Sequence, residues 1–155
     1  MAYIVWKDSF FVGVEEMDKQ HEQFVAYVNE LYDALQSGDV ETVIVPIHDN
    51  LTNYIQLHFA AEESLLSSLD YPMLEIQKNQ HAYYVSALYS MKSTLMTDYQ
   101  KAQNTLLLLK DWFLHHIMTE DLKYGEFIKT LGTCAGINNS LENFENAGCA
   151  QNYTA

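Results

Sequence analysis

The chain has 155 residues, 48% of them apolar, which suits one domain with a single hydrophobic core. It carries 21 acidic side chains against 8 basic ones, all lysine, for a formal net charge of −13. With no arginine forks and no basic face, it is not built for phosphate backbones or anionic lipid surfaces, so neither nucleic acid nor membrane is an expected partner.

Residues 1–17 read as an irregular lead-in. Met1 to Val14 lack a charged segment followed by an apolar run, so no signal peptide is expected. No stretch is long and apolar enough to cross a bilayer. A cytoplasmic location and free thiols at Cys134 and Cys149, whose spacing matches no zinc motif, follow as expectations. Trp6, Phe10, Phe11, Val12 and Val14 are too apolar for a free tail and are expected to lie across the helices as a flap.

A first helix is expected from Asp18, a good N-cap, to Gly38, a good stop. Its apolar face is Phe24, Val25, Val28, Leu31, Tyr32 and Leu35, with His21 on the same side. A second is expected from Asp39 to Leu69, with Pro46 kinking or delaying its early turns. Leu51, Ile55, His58, Glu62, Leu65 and Leu69 share one face. Asp70-Tyr71-Pro72 is a break, with Pro72 suited to the first position of a third helix. That helix carries Gln77, His81, Tyr84, Leu88, Met91 and Leu95 on one side. A fourth, from about Asn104 to Leu131, carries Leu109, Trp112, Phe113, His116, Glu120 and Asp121.

Short connections between four helices predict an all-α, antiparallel up-down-up-down four-helix bundle. The domain is expected over residues 1–131. From Gly132 the composition turns to Gly, Asn, Ala and Ser, and residues 132–155 read as a C-terminal tail without candidate chemistry.

His21, His58, His81 and His116 sit on inward stripes of four different helices. One buried histidine is usually a hydrogen-bonded core residue. Four converging imidazoles need more partners than a bundle of leucines supplies, and a metal supplies one for each. Glu62 follows His58 by four residues, about 40° around a helix and one turn on, so both reach one site. Asp121 follows His116 by five, about 140° around a regular helix, and reaches the same place only by side-chain length or local distortion. Imidazoles with carboxylates suit iron, manganese or zinc. Two carboxylates able to bridge suit two metals better than one. No histidine has a glutamate three residues before it, which disfavours the ferritin-like di-iron pattern. His48 and Glu63 fall off the inward faces and read as surface groups. His115 also points elsewhere.

Four ordered motifs carry a resemblance. Val12-Gly13-Val14 leads to Asp18-Lys19-Gln20-His21. His58-Phe59 precedes Glu62-Glu63. Tyr71-Pro72 leads to His81. Trp112-Phe113-Leu114-His115-His116-Ile117 precedes Asp121 and Tyr124. Over about residues 6 to 128 the chain resembles the bacterial hemerythrin family. The resemblance implies two iron ions joined by an oxo or hydroxo bridge and by carboxylates. His21 and His58 would serve the iron with an open position, His81 and His116 the other, and Glu62 and Asp121 would bridge. The family's remaining ligand is a histidine four residues before His81, and here that position is Gln77.

The resemblance also implies reversible dioxygen binding, for storage, delivery or supply, with dioxygen as the partner. Phe24, Phe59, Trp112 and Phe113 are candidates for the apolar lining of the oxygen pocket. The alternatives are a di-iron enzyme that turns over peroxide or acts as an oxidase, and an oxygen or redox sensor.

Overall fold

The computed structural model describes residues 2–92 and 97–138, the side chains of 133–138 excepted. It is all-α, with no strand among the described residues. The helices are α1 (Glu15–Ser37), α2 (Val40–Ser68), α3 (Leu74–Lys92) and α4 (Asp98–Trp112). The last continues through a π-helical segment, Phe113–Asp121, into α5 (Leu122–Asn138). α1 and α3 each pack against both α2 and α4, which closes the four-helix bundle. None of these helices is long and apolar enough to cross a membrane.

The core follows the apolar stripes. Phe24, Val28, Leu31, Ile47, Leu51, Leu109, Trp112 and Ile117 are buried in one cluster. A smaller cluster of Val12, Met17, Leu66, Tyr71, Tyr124 and Phe127 closes the other end. On α2, Leu66 takes the fully buried place, and Leu65 and Leu69 pack at its margin.

Gly38 ends α1 in the left-handed region, φ 79°, where its N–H caps Ala34 O. The start of α1 differs from expectation. The helix begins at Glu15, and Asp18 lies inside it, buried. Its carboxylate accepts the Val12 N–H at 2.7 Å and the Gly13 N–H at 3.1 Å. Asp18 therefore ties down the flap rather than capping the helix.

α2 starts after Asp39 as expected, and three later boundaries shift. α2 is helical from Val40 through Pro46, so the proline does not delay it; Ile44 and Ile47, both buried, anchor the turns on either side. Pro72 lies in a turn before α3, not at its first position. There the Leu74 N–H bonds Tyr71 O, and Asp70 takes up a positive φ of 50°. α4 starts at Asp98, not near Asn104, because Thr97 and Gln100 form a reciprocal capping box. α5 runs past Leu131 to Asn138. Leu95, Cys149 and residues 139–155 lie outside the described residues.

The lead-in does lie on the bundle. Asn29 on α1 accepts the Tyr3 and Ile4 N–H groups at 2.8 and 2.9 Å and donates to Ile4 O at 2.9 Å. Trp6 packs edge-on against Phe10, and Phe10 edge-on against Phe113. The Val12 carbonyl presses on Gly125, where any Cβ would collide with it.

Candidate metal centre

Each helix of the bundle delivers polar side chains to one buried place. α1 brings His21, α2 brings His58 and Glu62, α3 brings Gln77 and His81, and the π-helical segment brings His116 and Asp121. All seven are at most 2% exposed, which for charged and polar groups demands partners. Ligand atoms of His21, His58, Glu62 and Asp121 all lie within 4.8 Å of one another, as do those of Glu62, His81 and His116. The two groups share Glu62.

The π-helical segment solves the awkward spacing of His116 and Asp121. A π turn closes i→i+5 bonds, so residues five apart stack one turn above the other. Asp121 Oδ1 thereby lies 3.2 Å from His116 Nε2, while its Oδ2 lies 3.3 Å from His21 Nε2. Glu62 Oε2 lies 3.0 Å from His81 Nε2. The Nε2 atoms of His81 and His116 face each other at 3.0 Å.

An outer layer fixes three of the imidazoles. His58 Nδ1 meets Gln20 Oε1 at 2.8 Å, His81 Nδ1 meets Glu63 Oε1 at 2.7 Å, and His116 Nδ1 meets Gln80 Oε1 at 2.7 Å. These oxygens only accept, so each ring carries its proton on Nδ1 and turns a bare Nε2 lone pair inward. Glu63 is thus a partner of His81, not a free surface carboxylate. Gln20 and Gln80 were not singled out from the sequence, although the repeated Gln-His pair at 20–21 and 80–81 is a legible signal. Each glutamine serves the histidine of another helix.

Acceptors therefore crowd the centre. His58 Nε2, both oxygens of Glu62, Asp121 Oδ2 and Gln77 Oε1 have no hydrogen-bond partner, nor has either nitrogen of His21. The inward donor in view is Gln77 Nε2, which reaches Asp121 Oδ1 at 3.1 Å. A buried set of lone pairs with so few donors is strongly unfavourable by itself and fits cations. The donor set, imidazole nitrogens and carboxylate oxygens without thiolate, fits a metal site.

The electrostatics agree. Burial and the charge of Asp121 hold Glu62 above the usual carboxylate range. Burial alone would also raise Asp121, but the imidazoles of His116, His21 and His58 around it win and lower it. Burial depresses His58 far below the ordinary imidazole value and His116 to about 4, keeping both neutral and able to ligate. Burial also pulls on His81, but the carboxylates of Glu62 and Glu63, one facing each ring nitrogen, outweigh it and raise it.

Aromatic rings wall the cluster. Phe59 stacks on His81 with centroids 3.7 Å apart and stands 6.1 Å from His116. Trp112 is 6.2 Å from His58, and Phe24 packs on Trp112 at 4.6 Å. Phe113 is parallel to Phe24 at 6.4 Å, one layer further out. Tyr54 stacks on His58 at 5.3 Å, and buried Tyr124 lies beside Glu62.

Two other histidines lie apart from the cluster. His115 is exposed and pairs with Asp111 at 2.8 Å. His48 is buried, against the expectation of a surface site. It reaches across to α4, where its Nε2 meets Thr105 Oγ1 at 2.9 Å, and Thr105 in turn donates to Met91 Sδ.

The sequence profile of the hemerythrin HHE cation binding domain matches residues 12–128, from the flap into α5. The chain belongs to the hemerythrin family. Bacteriohemerythrin of Pseudomonas aeruginosa is 27% identical over 129 residues, covering 83% of this chain and 84% of that protein. Bacteriohemerythrin of Clostridium acetobutylicum is 27% identical over 125 residues, covering 77% and 97%. A hemerythrin-like protein of Naegleria fowleri is 28% identical over 119 residues, covering 77% and 88%. The hemerythrin match thus spans all four helices that supply the buried cluster.

Proposed function

We propose that this hemerythrin domain holds two iron ions and binds dioxygen reversibly. The observation that carries the reading is Asp121, whose two oxygens face histidines of different groups, His21 on one side and His116 on the other. A carboxylate so placed, with Glu62 common to both groups, suits two cations side by side. His21 and His58 would serve one iron, and His81, His116 and Gln77 the other. The pair of ferrous ions would supply the two electrons that dioxygen takes up.

The chain's own residues would do the rest. Gln20, Glu63 and Gln80 hold the imidazoles with Nε2 inward. Phe59, Trp112 and Phe24 exclude water, which protects a reduced site from oxidation. His21 and His58 share their group with Glu62 and Asp121, and two imidazoles with two shared carboxylates would leave their metal room for a small ligand. The function lies in residues 1–131. All seven side chains of this arrangement lie between His21 and Asp121, so removing residues 139–155 should leave metal content unchanged.

The test is metal analysis of the iron-loaded protein followed by absorption spectra of the ferrous form with and without dioxygen. Close to two irons per chain, and a spectrum that appears with dioxygen and vanishes on its removal, are expected. A single zinc, or irreversible oxidation on the first exposure, would defeat the proposal. A second reading, peroxide turnover, is favoured by one feature: the amide of Gln77 is a weaker donor than imidazole and would leave its iron more reactive.

A further inference from the structure

We propose that the pocket between the N-terminal flap and α4 binds a small planar aromatic anion. The pocket has a volume of about 460 Å³, within the usual range for small-molecule sites. Tyr3, Phe10, Phe113 and Leu114 contribute to its apolar lining, and its charged side chains are Lys7 and Lys110.

The placement of those two lysines is the decisive feature. Of the eight in the chain, Lys19, Lys78, Lys92, Lys123 and Lys129 are engaged by carboxylates. Lys7, Lys101 and Lys110 make no ion pair among the described residues, and two of these three line this one pocket. In a chain with 21 acidic residues, these two lysines stand beside an apolar cavity whose lining contains no carboxylate. Asp111 is occupied by Tyr84 and His115 and does not line the pocket, nor does Asp8.

The site is also held in shape. Asn29 fixes the backbone of Tyr3 and Ile4 by three hydrogen bonds, Tyr3 stacks on Tyr32 at 4.7 Å, and Phe10 packs edge-on against Phe113. A wall fixed before binding reduces the ordering cost of a ligand. Aromatic side chains favour a flat ring, and the lysines favour a carboxylate or a similar anionic group at its edge. The net charge of −13 opposes any anion at long range. At about 0.15 M salt the screening length is about 8 Å, so carboxylates beyond it are largely screened, and the charged groups on the pocket wall itself are the two lysines. This inference does not rest on the metal reading.

The probe is 1-naphthoate, compared with the neutral 1-naphthamide of the same shape. Both are titrated by calorimetry into the full-length protein at physiological ionic strength. Naphthoate should bind saturably, one per chain, and about tenfold more tightly than the amide. Lys7→Gln with Lys110→Gln should abolish that preference while leaving amide binding as it was. Leu114→Trp, which fills the pocket from an exposed position, should weaken both at least about tenfold. All three positions are exposed, so melting temperatures should hold, and the circular dichroism melt verifies it. No saturable binding below millimolar concentration, equal affinity for anion and amide, or a preference that survives loss of both lysines would overturn the proposal.

Discussion

His116 and Asp121 lie five residues apart, yet His116 Nε2 comes within 3.2 Å of Asp121 Oδ1. The helix is π-wound between Phe113 and Asp121, and this winding places both side chains on one face. The same carboxylate meets His21 from α1, so it joins the first and last helices of the bundle at the centre.

Asp121 should therefore be needed for paired metal binding. Asp121→Asn keeps the shape but removes the charge and one good metal donor. The iron content of the variant should fall from about two per chain to one or fewer, and Glu62→Gln should do the same. Elemental analysis after gel filtration measures it. A variant that keeps two irons with unchanged release to a chelator would remove the carboxylate from the bridging role.

Much of this arrangement was legible in the sequence, and what was not has physical reasons. Helical periodicity put His21, His58, Glu62 and His81 on inward stripes, because burial follows the 3.6-residue repeat. The same repeat puts Asp121 about 140° from His116, and only the π winding, a tertiary feature, corrects it. Asp18 looked like an N-cap because caps and buried anchors use the same residue types; its real partners, the Val12 and Gly13 N–H groups, lie before the helix. The Thr97–Gln100 capping box was readable but passed over. His48 fell off the metal-facing stripe of α2 and so read as exposed, but α2 has a second buried face turned toward Thr105.

Gln77 marks the weakest point of the proposed site. Its Nε2 donates to Asp121 Oδ1 at 3.1 Å, and its Oε1 has no partner. An amide that binds metal does so through its oxygen. Gln77→His should therefore replace a weak donor by a strong one, lengthening iron retention against a chelator by about tenfold or more. The oxygenated spectrum should also decay more slowly. Identical iron loss in the two proteins would show that position 77 does not serve the metal.

Glu63 should tune that same metal through His81. Its carboxylate accepts the Nδ1 proton at 2.7 Å and makes the ring a stronger donor. Glu63→Gln keeps a hydrogen bond but loses the charge. Metal affinity at the His81 side is expected to drop about 10- to 100-fold, read by chelator competition. Glu120→Gln, at a carboxylate that pairs with Lys123, is the control and should have little effect.

The flap depends on Gly125. A Cβ there would collide with the Val12 carbonyl, which is backbone and cannot swing aside. Gly125→Ala should cost about 1–3 kcal/mol, the range for forced overpacking, and lower the melting temperature. It should also shift the fluorescence of Trp6, half-buried under the flap contacts. Asp18→Ala, which releases the Val12 and Gly13 N–H groups, should give the same fluorescence change. A Gly125→Ala protein with the wild-type melt and spectrum would mean that the flap is not seated on the helix at this point.

His48 gives the fold a pH dependence of its own. Burial, and then the charges of Lys92 and Lys101, push its pKa below the ordinary imidazole value, and Asp49 only partly compensates. Its Nδ1 has no partner, and its Nε2 is already committed to Thr105. Protonation would thus bury a charge without an acceptor, and the neutral form belongs to the folded state. The sign follows from the direction of the shift. The unfolded chain takes up a proton at about pH 6.5, the folded chain only at lower pH, so stability is complete above that value and declines as pH falls toward the folded pKa. His48→Gln can still bond Thr105 but cannot titrate. Chemical denaturation of the two proteins between pH 7.5 and 5, taken as a difference so that the other histidines cancel, should show the wild type losing more stability than the variant. A difference that stays constant across the range, or one that grows in the opposite sense, would mean that His48 is charged or free to find water in the folded protein.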